Sequence, residues 1–156
     1  MGYKIVFIGL LIALSSLVIG CGADTYSVGN DMGWTVPPGG DSAYRNWAAR
    51  EDFELGDQII FRWIGTHNVV QVTREGYDNC SATNYNMTLS PVHTSSPTTF
   101  TLNSTAPHYF ICTVDSHCRL GQRVTVQIGS SAATPSLIKT GAFLSTILMA
   151  SISLLI

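Results

Sequence analysis

The chain is expected to be all-β: a Greek-key β-sandwich of six to eight short strands with one or two short helices. Three observations predict it. Short runs rich in Val, Ile, Thr, Tyr and Phe alternate in polarity, most cleanly at 98–102 and 122–128. Turn-forming clusters such as Asn30-Asp31, Pro37-Pro38-Gly39-Gly40 and Gly56-Asp57 separate these runs. Between residues 24 and 129 only the stretch 44–50 carries a helical apolar face. Many short strands spaced by turn signals are the pattern of a sandwich.

In chain order, residues 25–29 alternate as a first strand and 30–34 turn the chain. In 44–50, Tyr44, Trp47 and Ala48 share one helical face, with Asp41 or Ser42 as the cap, and would cover an end of the core. Trp34 and Trp47 are read as core aromatics. A turn at 54–57 leads into a strand at 58–64, a connection at 65–68 and a strand at 69–73. Residues 74–97 look irregular. Strands follow at 98–102, 107–112 and 122–128, the last with Val and Ile on one face. His93 and His108 have no partner at ligand spacing and are read as polar surface histidines.

Both ends carry addressing patterns. Lys4, an apolar run over 5–19 and the small residues Cys21-Gly22-Ala23 read as a secretory signal peptide, residues 1–23, cleaved after Ala23. Val18-Ile19-Gly20-Cys21 also resembles a lipobox, a competing reading. Residues 130–156 hold small residues, a short spacer and an apolar tail, the pattern of a GPI-attachment signal with Ser130 as the attachment residue. Without the two ends, which contain Lys4 and Lys139, six basic residues face ten acidic ones. This mildly acidic domain, residues 24–129, has no basic patch and is not expected to bind nucleic acid. Sequons at Asn79, Asn86 and Asn103 are candidate glycosylation sites.

The chemistry concentrates in Cys112-Thr-Val-Asp-Ser-His117-Cys118-Arg-Leu-Gly-Gln122. A thiol, an imidazole and an amide recur there at a spacing of five, and a loop between two strands can aim them at one point. Thiolate and imidazole suit copper, and a trigonal His₂Cys set with a weak axial ligand, sometimes Gln, marks a blue-copper site. The missing imidazole is assigned to His67, at the mouth of a strand. Two readings compete. Four cysteines in a secreted chain can instead form two disulfides, and zinc also takes Cys and His, though Gln ligates it poorly. Cleavage would remove Cys21 and leave three cysteines, which one disulfide, Cys80 with Cys118, and one metal thiolate, Cys112, account for.

The motif set Val28-Gly29, Gly33-Trp34-Thr35, Tyr44, Trp47-Ala48, Phe53, Gly56-Asp57, Phe61, His67, Cys80, Tyr109-Phe110-Ile111-Cys112, His117-Cys118 and Gly121-Gln122 resembles the plant phytocyanins, a branch of the cupredoxins. The resemblance covers essentially all of the mature domain. It implies a cupredoxin-like sandwich and one copper per chain, cycling between Cu(II) and Cu(I). His67, Cys112 and His117 would be ligands, with an axial Gln122 as in stellacyanins, and the family's disulfide maps onto Cys80 and Cys118. The function implied is single-electron transfer at the outer face of the plasma membrane, by a GPI-anchored monomer with a small-molecule or protein redox partner. The alternative is a GPI-anchored interaction or signalling module in which copper redox is incidental. A single saturated copper site leaves no open coordination position, so an enzyme is not expected.

Overall fold

In the computed structural model, residues 22–129 are described. The expected apolar leader up to residue 21 and the expected attachment signal with Ser130 lie outside them. The described chain forms two three-stranded sheets with short helices, a β-sandwich as the alternation predicts. In the first sheet β2 (Gln58–Phe61) lies between β1 (Thr25–Ser27), which runs parallel to it, and the antiparallel β4 (Thr98–Thr101). In the second, β5 (His108–Ile111) lies between β3 (Val70–Val72) and β6 (Arg123–Val126), all antiparallel.

The strands are shorter than their polarity patterns. Alternation persists to Ile64, but β2 ends at Phe61 because loops take up the next backbone groups. The Arg62 carbonyl accepts from Trp34 N–H at 2.7 Å, and Trp63 N–H donates to Ser96 Oγ at 2.9 Å. Helix α1 (Ser42–Ala48) buries Tyr44, Trp47 and Ala48, the face expected. Asp41 stands at its N-cap, although its side chain accepts no capping bond.

Aromatic rings fill the space between the sheets. Phe61 packs against Trp34 at 4.9 Å, Phe110 at 5.1 Å and Phe100 at 5.7 Å between ring centres. Trp34 and Trp47 both belong to this core. Phe61→Ala is expected to cost about 3–5 kcal/mol, because the emptied volume is walled by rings that cannot collapse into it. Denaturant unfolding checks this, and an unchanged midpoint contradicts it. A second cluster, Val70, Val72, Ile111 and Cys118, includes Tyr77 and Tyr109 at its edge. Apolar residues on both faces of β5 thus explain its continuous apolar run.

Two expectations fail. Part of the stretch read as irregular is helix α2 (Arg74–Asn79). Thr73 Oγ1 caps it by accepting from Gly76 N–H at 3.3 Å. Gly76 lets the helix lie close against neighbouring backbone, since a Cβ there would stand 2.8 Å from Ser81 O and 3.0 Å from Met87 O. Glycine and Asn lower helix propensity, so no local pattern announces this helix. His108 is not a surface residue: it is 3 % exposed. Its Nε2–H donates to Ser104 O at 3.0 Å, and its Nδ1 lies 3.0 Å from Gln71 Nε2. Burial is tolerated because both ring nitrogens have partners. His93 is half-buried, edge-on to Phe100 at 5.3 Å.

Candidate metal centre

Three of the four expected donors come from the turn joining β5 to β6. Its backbone folds back on itself. Cys112 N–H donates to Gln122 O at 3.1 Å, Gln122 N–H to His117 O at 2.9 Å, and His117 N–H to Val114 O at 3.0 Å. These bonds bring residues spaced by five to one end of the sandwich. Cys80 and Cys118 are joined in a disulfide that ties the end of α2 to the residue beside His117. A crosslink closing a loop of this length is worth about 2–4 kcal/mol.

His67 arrives from the β2–β3 connection, and the next residue fastens it. Asn68 Oδ1 accepts from Thr113 N–H at 2.7 Å, and Asn68 Nδ2 donates to Thr113 Oγ1 at 2.9 Å. Its carbonyl accepts from Trp34 Nε1–H at 2.8 Å. Asn68 therefore staples the histidine segment to both the cysteine loop and the core.

The result is a compact donor set. Nitrogens of His67 and His117 and the sulfur of Cys112 all lie within 4.8 Å of one another. Cys112 Sγ is 3.6 Å from His117 Nδ1, and His67 Nδ1 lies 3.1 Å from Gln122 Oε1. Cys112 is fully buried and, among the described residues, the one free cysteine. Burial pushes its thiol up, opposed by the backbone N–H groups of Asn68 and Val114 that point at the sulfur. Burial pulls His67 down, the bond to Gln122 partly offsets this, and neighbouring His117 adds to it. Both imidazoles are only partly covered, so the centre sits just under the surface.

The donor set fits a soft, redox-active metal. One thiolate and two imidazoles match copper better than the oxygen sites of hard ions. Gln122 carries a second indication. It is fully buried, and its Nε2 has no hydrogen-bond partner among the described residues. An orphaned buried amide N–H costs about 1–3 kcal/mol, while Oε1 is held against His67. An apolar residue would fill that space at less cost, and Oε1 is the amide atom that faces His67.

Other expected site residues lie apart from the centre. Asn79, Asn86 and Asn103 are all exposed. Asn68 and the Val114 N–H were not anticipated. Asn68 could have been suspected as a polar residue beside a ligand histidine, whereas the Val114 N–H belongs to backbone, which leaves no residue-type signal.

A family model described as a plastocyanin-like domain matches residues 34–122. The chain is 36% identical over 115 residues to a blue copper protein of Arabidopsis thaliana, covering 72% of this chain and 55% of that protein. The chain thus spans little more than half the length of that relative. It is 34% identical over 107 residues to stellacyanin of Toxicodendron vernicifluum, covering 66% of this chain and 94% of that one. The solved structure of cucumber stellacyanin with Cu2+ matches with a TM-score of 0.60 at 31% identity, over 70% of this chain and 97% of that one.

Proposed function

This chain belongs to the phytocyanins, the plant blue copper proteins with a plastocyanin-like domain, and from that premise we propose that it carries single electrons at the outer cell surface through His67, Cys112, His117 and Gln122. It holds one copper per chain and is an electron-carrier protein, not an enzyme. The observation that carries the ligand assignment is the buried Cys112 thiol, free of any disulfide, within 4.8 Å of nitrogens of two imidazoles.

When bound, copper supplies the change between Cu(II) and Cu(I). The chain supplies the rest. Cys112 provides the thiolate, and the Asn68 and Val114 N–H groups temper its charge and hold its direction. His67 and His117 would hold the metal through ring nitrogens, and their partly exposed rings offer an edge to a redox partner. Gln122 would offer its amide oxygen to the metal, a harder donor than a thioether and so one that would favour Cu(II). The disulfide and the Asn68 staple hold the donors fixed, so little needs to rearrange when the charge changes.

Gln122→Met is expected to raise the reduction potential of the copper-loaded protein. Voltammetry checks this, and an unchanged or lower value removes the proposed role of the Gln122 oxygen. Copper affinity should also depend on pH. Burial holds the Cys112 thiol protonated at neutral pH, so binding must expel that proton. Affinity should then strengthen by about tenfold per pH unit as pH rises from 6 to 8. Burial also holds His67 below its usual range, which favours the neutral imidazole that can bind a metal. Competitive chelation across pH gives the slope, and a flat profile contradicts the thiolate assignment.

For location, we propose a GPI-anchored monomer with glycans on Asn79, Asn86 and Asn103, whose exposure supports that reading. No helix among the described residues is long and apolar enough to cross a membrane. Release of the protein from cells by a phosphatidylinositol-specific phospholipase tests the anchor. His67→Ala tests the redox role against a pure interaction module, which would keep biological activity without copper.

A further inference from the structure

Asp57 is 2 % exposed, and it is the one buried acidic residue among the described residues. Its carboxylate is held tightly: Oδ2 accepts from Glu54 N–H at 2.7 Å and Oδ1 from Asp24 N–H at 2.8 Å. None of the three ion pairs among the described residues includes it. Nor can a lysine reach it from within the domain, since residues 22–129 contain none. The surroundings are negative as well. The Tyr26 phenol is pushed up by burial first, then by Asp57, Asp24, Glu51 and Asp52. A buried carboxylate in a negative environment is costly unless a cation meets it.

The nitrogen on Oδ1 is fixed in place. Asp24 O accepts from Gln58 N–H at 2.8 Å, and Thr25 stands opposite Gln58 in the parallel β1–β2 pairing. That nitrogen also follows directly on the small-x-small residues Cys21-Gly22-Ala23, where the sequence places the end of a leader.

We propose that Asp24 is the mature amino terminus and that its α-ammonium is the missing countercharge of Asp57, so that removal of the leader creates a partly buried ion pair. A leader peptidase hydrolyses the Ala23–Asp24 amide. The C–N bond breaks, the oxygen of water stays on Ala23 as a carboxylate, and both water protons go to the Asp24 nitrogen. A neutral N–H donor on Oδ1 becomes an ammonium, which adds the attraction of opposite charges to the bond the carboxylate already accepts. The position of the cut decides the outcome: cleavage one residue earlier leaves the Asp24 nitrogen an uncharged amide. The inference is independent of the metal centre.

The test uses the full chain expressed in a secreting plant or insect cell, purified and copper-loaded. Amino-terminal sequencing should return Asp24 as the first residue. Acetic anhydride should modify this amine at least about tenfold more slowly than the amine of the peptide Asp-Thr-Tyr-Ser, because an ammonium paired with a carboxylate gives up its proton less readily. Acetylation, which removes the charge, should lower Tm by about 5 °C or more. On Asp57→Asn the same acetylation should change Tm little. A different first residue, peptide-like reactivity, an unchanged Tm on acetylation, or an equal drop in Asp57→Asn each overturns the proposal. If Asp57→Asn is not secreted, the rate and the Tm shift of the unsubstituted protein decide.

Discussion

Gly121→Ala should lower the unfolding temperature by about 15 °C or more, corresponding to roughly 3–5 kcal/mol. Two effects combine at this position. Its φ of +103° is strained for any residue with a Cβ. The added Cβ would also stand 2.4 Å from Asp41 N and 2.5 Å from Gly40 C, both backbone atoms that no rotamer change can move. The loop at 40–41 must therefore shift away from the turn at 121. That shift reaches the metal centre, because Gln122 is the next residue and Arg123 pairs with Asp41 at 3.6 Å. Folded survivors should show an altered visible spectrum. Gly65→Ala is the control: its φ is +90°, but nothing lies within 4 Å of its added Cβ. Thermal unfolding of both separates strain from collision. If the two variants fall within about 1 kcal/mol of each other, the close approach at Gly121 does not matter.

Cys112→Ser should abolish the intense visible sulfur-to-copper band and weaken copper binding by more than the roughly 10–100-fold that loss of an outer hydrogen-bond partner costs. The fold should survive. The Asn68 and Val114 N–H groups that point at the sulfur can donate to a hydroxyl instead, so the metal-free variant should stay within about 2 kcal/mol of the parent. A near-normal Tm with a lost band would place this residue in the site and not in the scaffold. Absorption spectroscopy of the copper-loaded variant and calorimetry of the metal-free one check both halves. A persistent band would mean that another sulfur ligates the metal.

The donor motif could be read early because three of its members lie in one turn. Cys112, His117 and Gln122 are local neighbours whose chemistry shows in residue type alone. Strand positions were equally local, since alternation reports which face a sheet buries. Strand lengths were not: β2 stops at Phe61 because Trp34 and Ser96, far along the chain, bond the groups that would have extended it. Helix α2 escaped because it depends on tertiary packing around Gly76 and not on an apolar period. His108 looked like a surface residue because its partners, Gln71 and the Ser104 carbonyl, lie on other segments.

Composition and spacing were enough to establish the kind of chemistry, a thiolate with imidazoles and an amide, and the sheet-forming segments that carry it. Periodicity and ligand type are properties of neighbouring residues, so the linear order records them. The packing of the two sheets decided the rest: that His67 meets Gln122 across 55 positions, that Asn68 reaches Thr113 across 45, and that Asp24 reaches Asp57 across 33. Those contacts depend on which loops the sandwich brings to the same end, and pairwise distance between remote residues leaves no trace in local pattern.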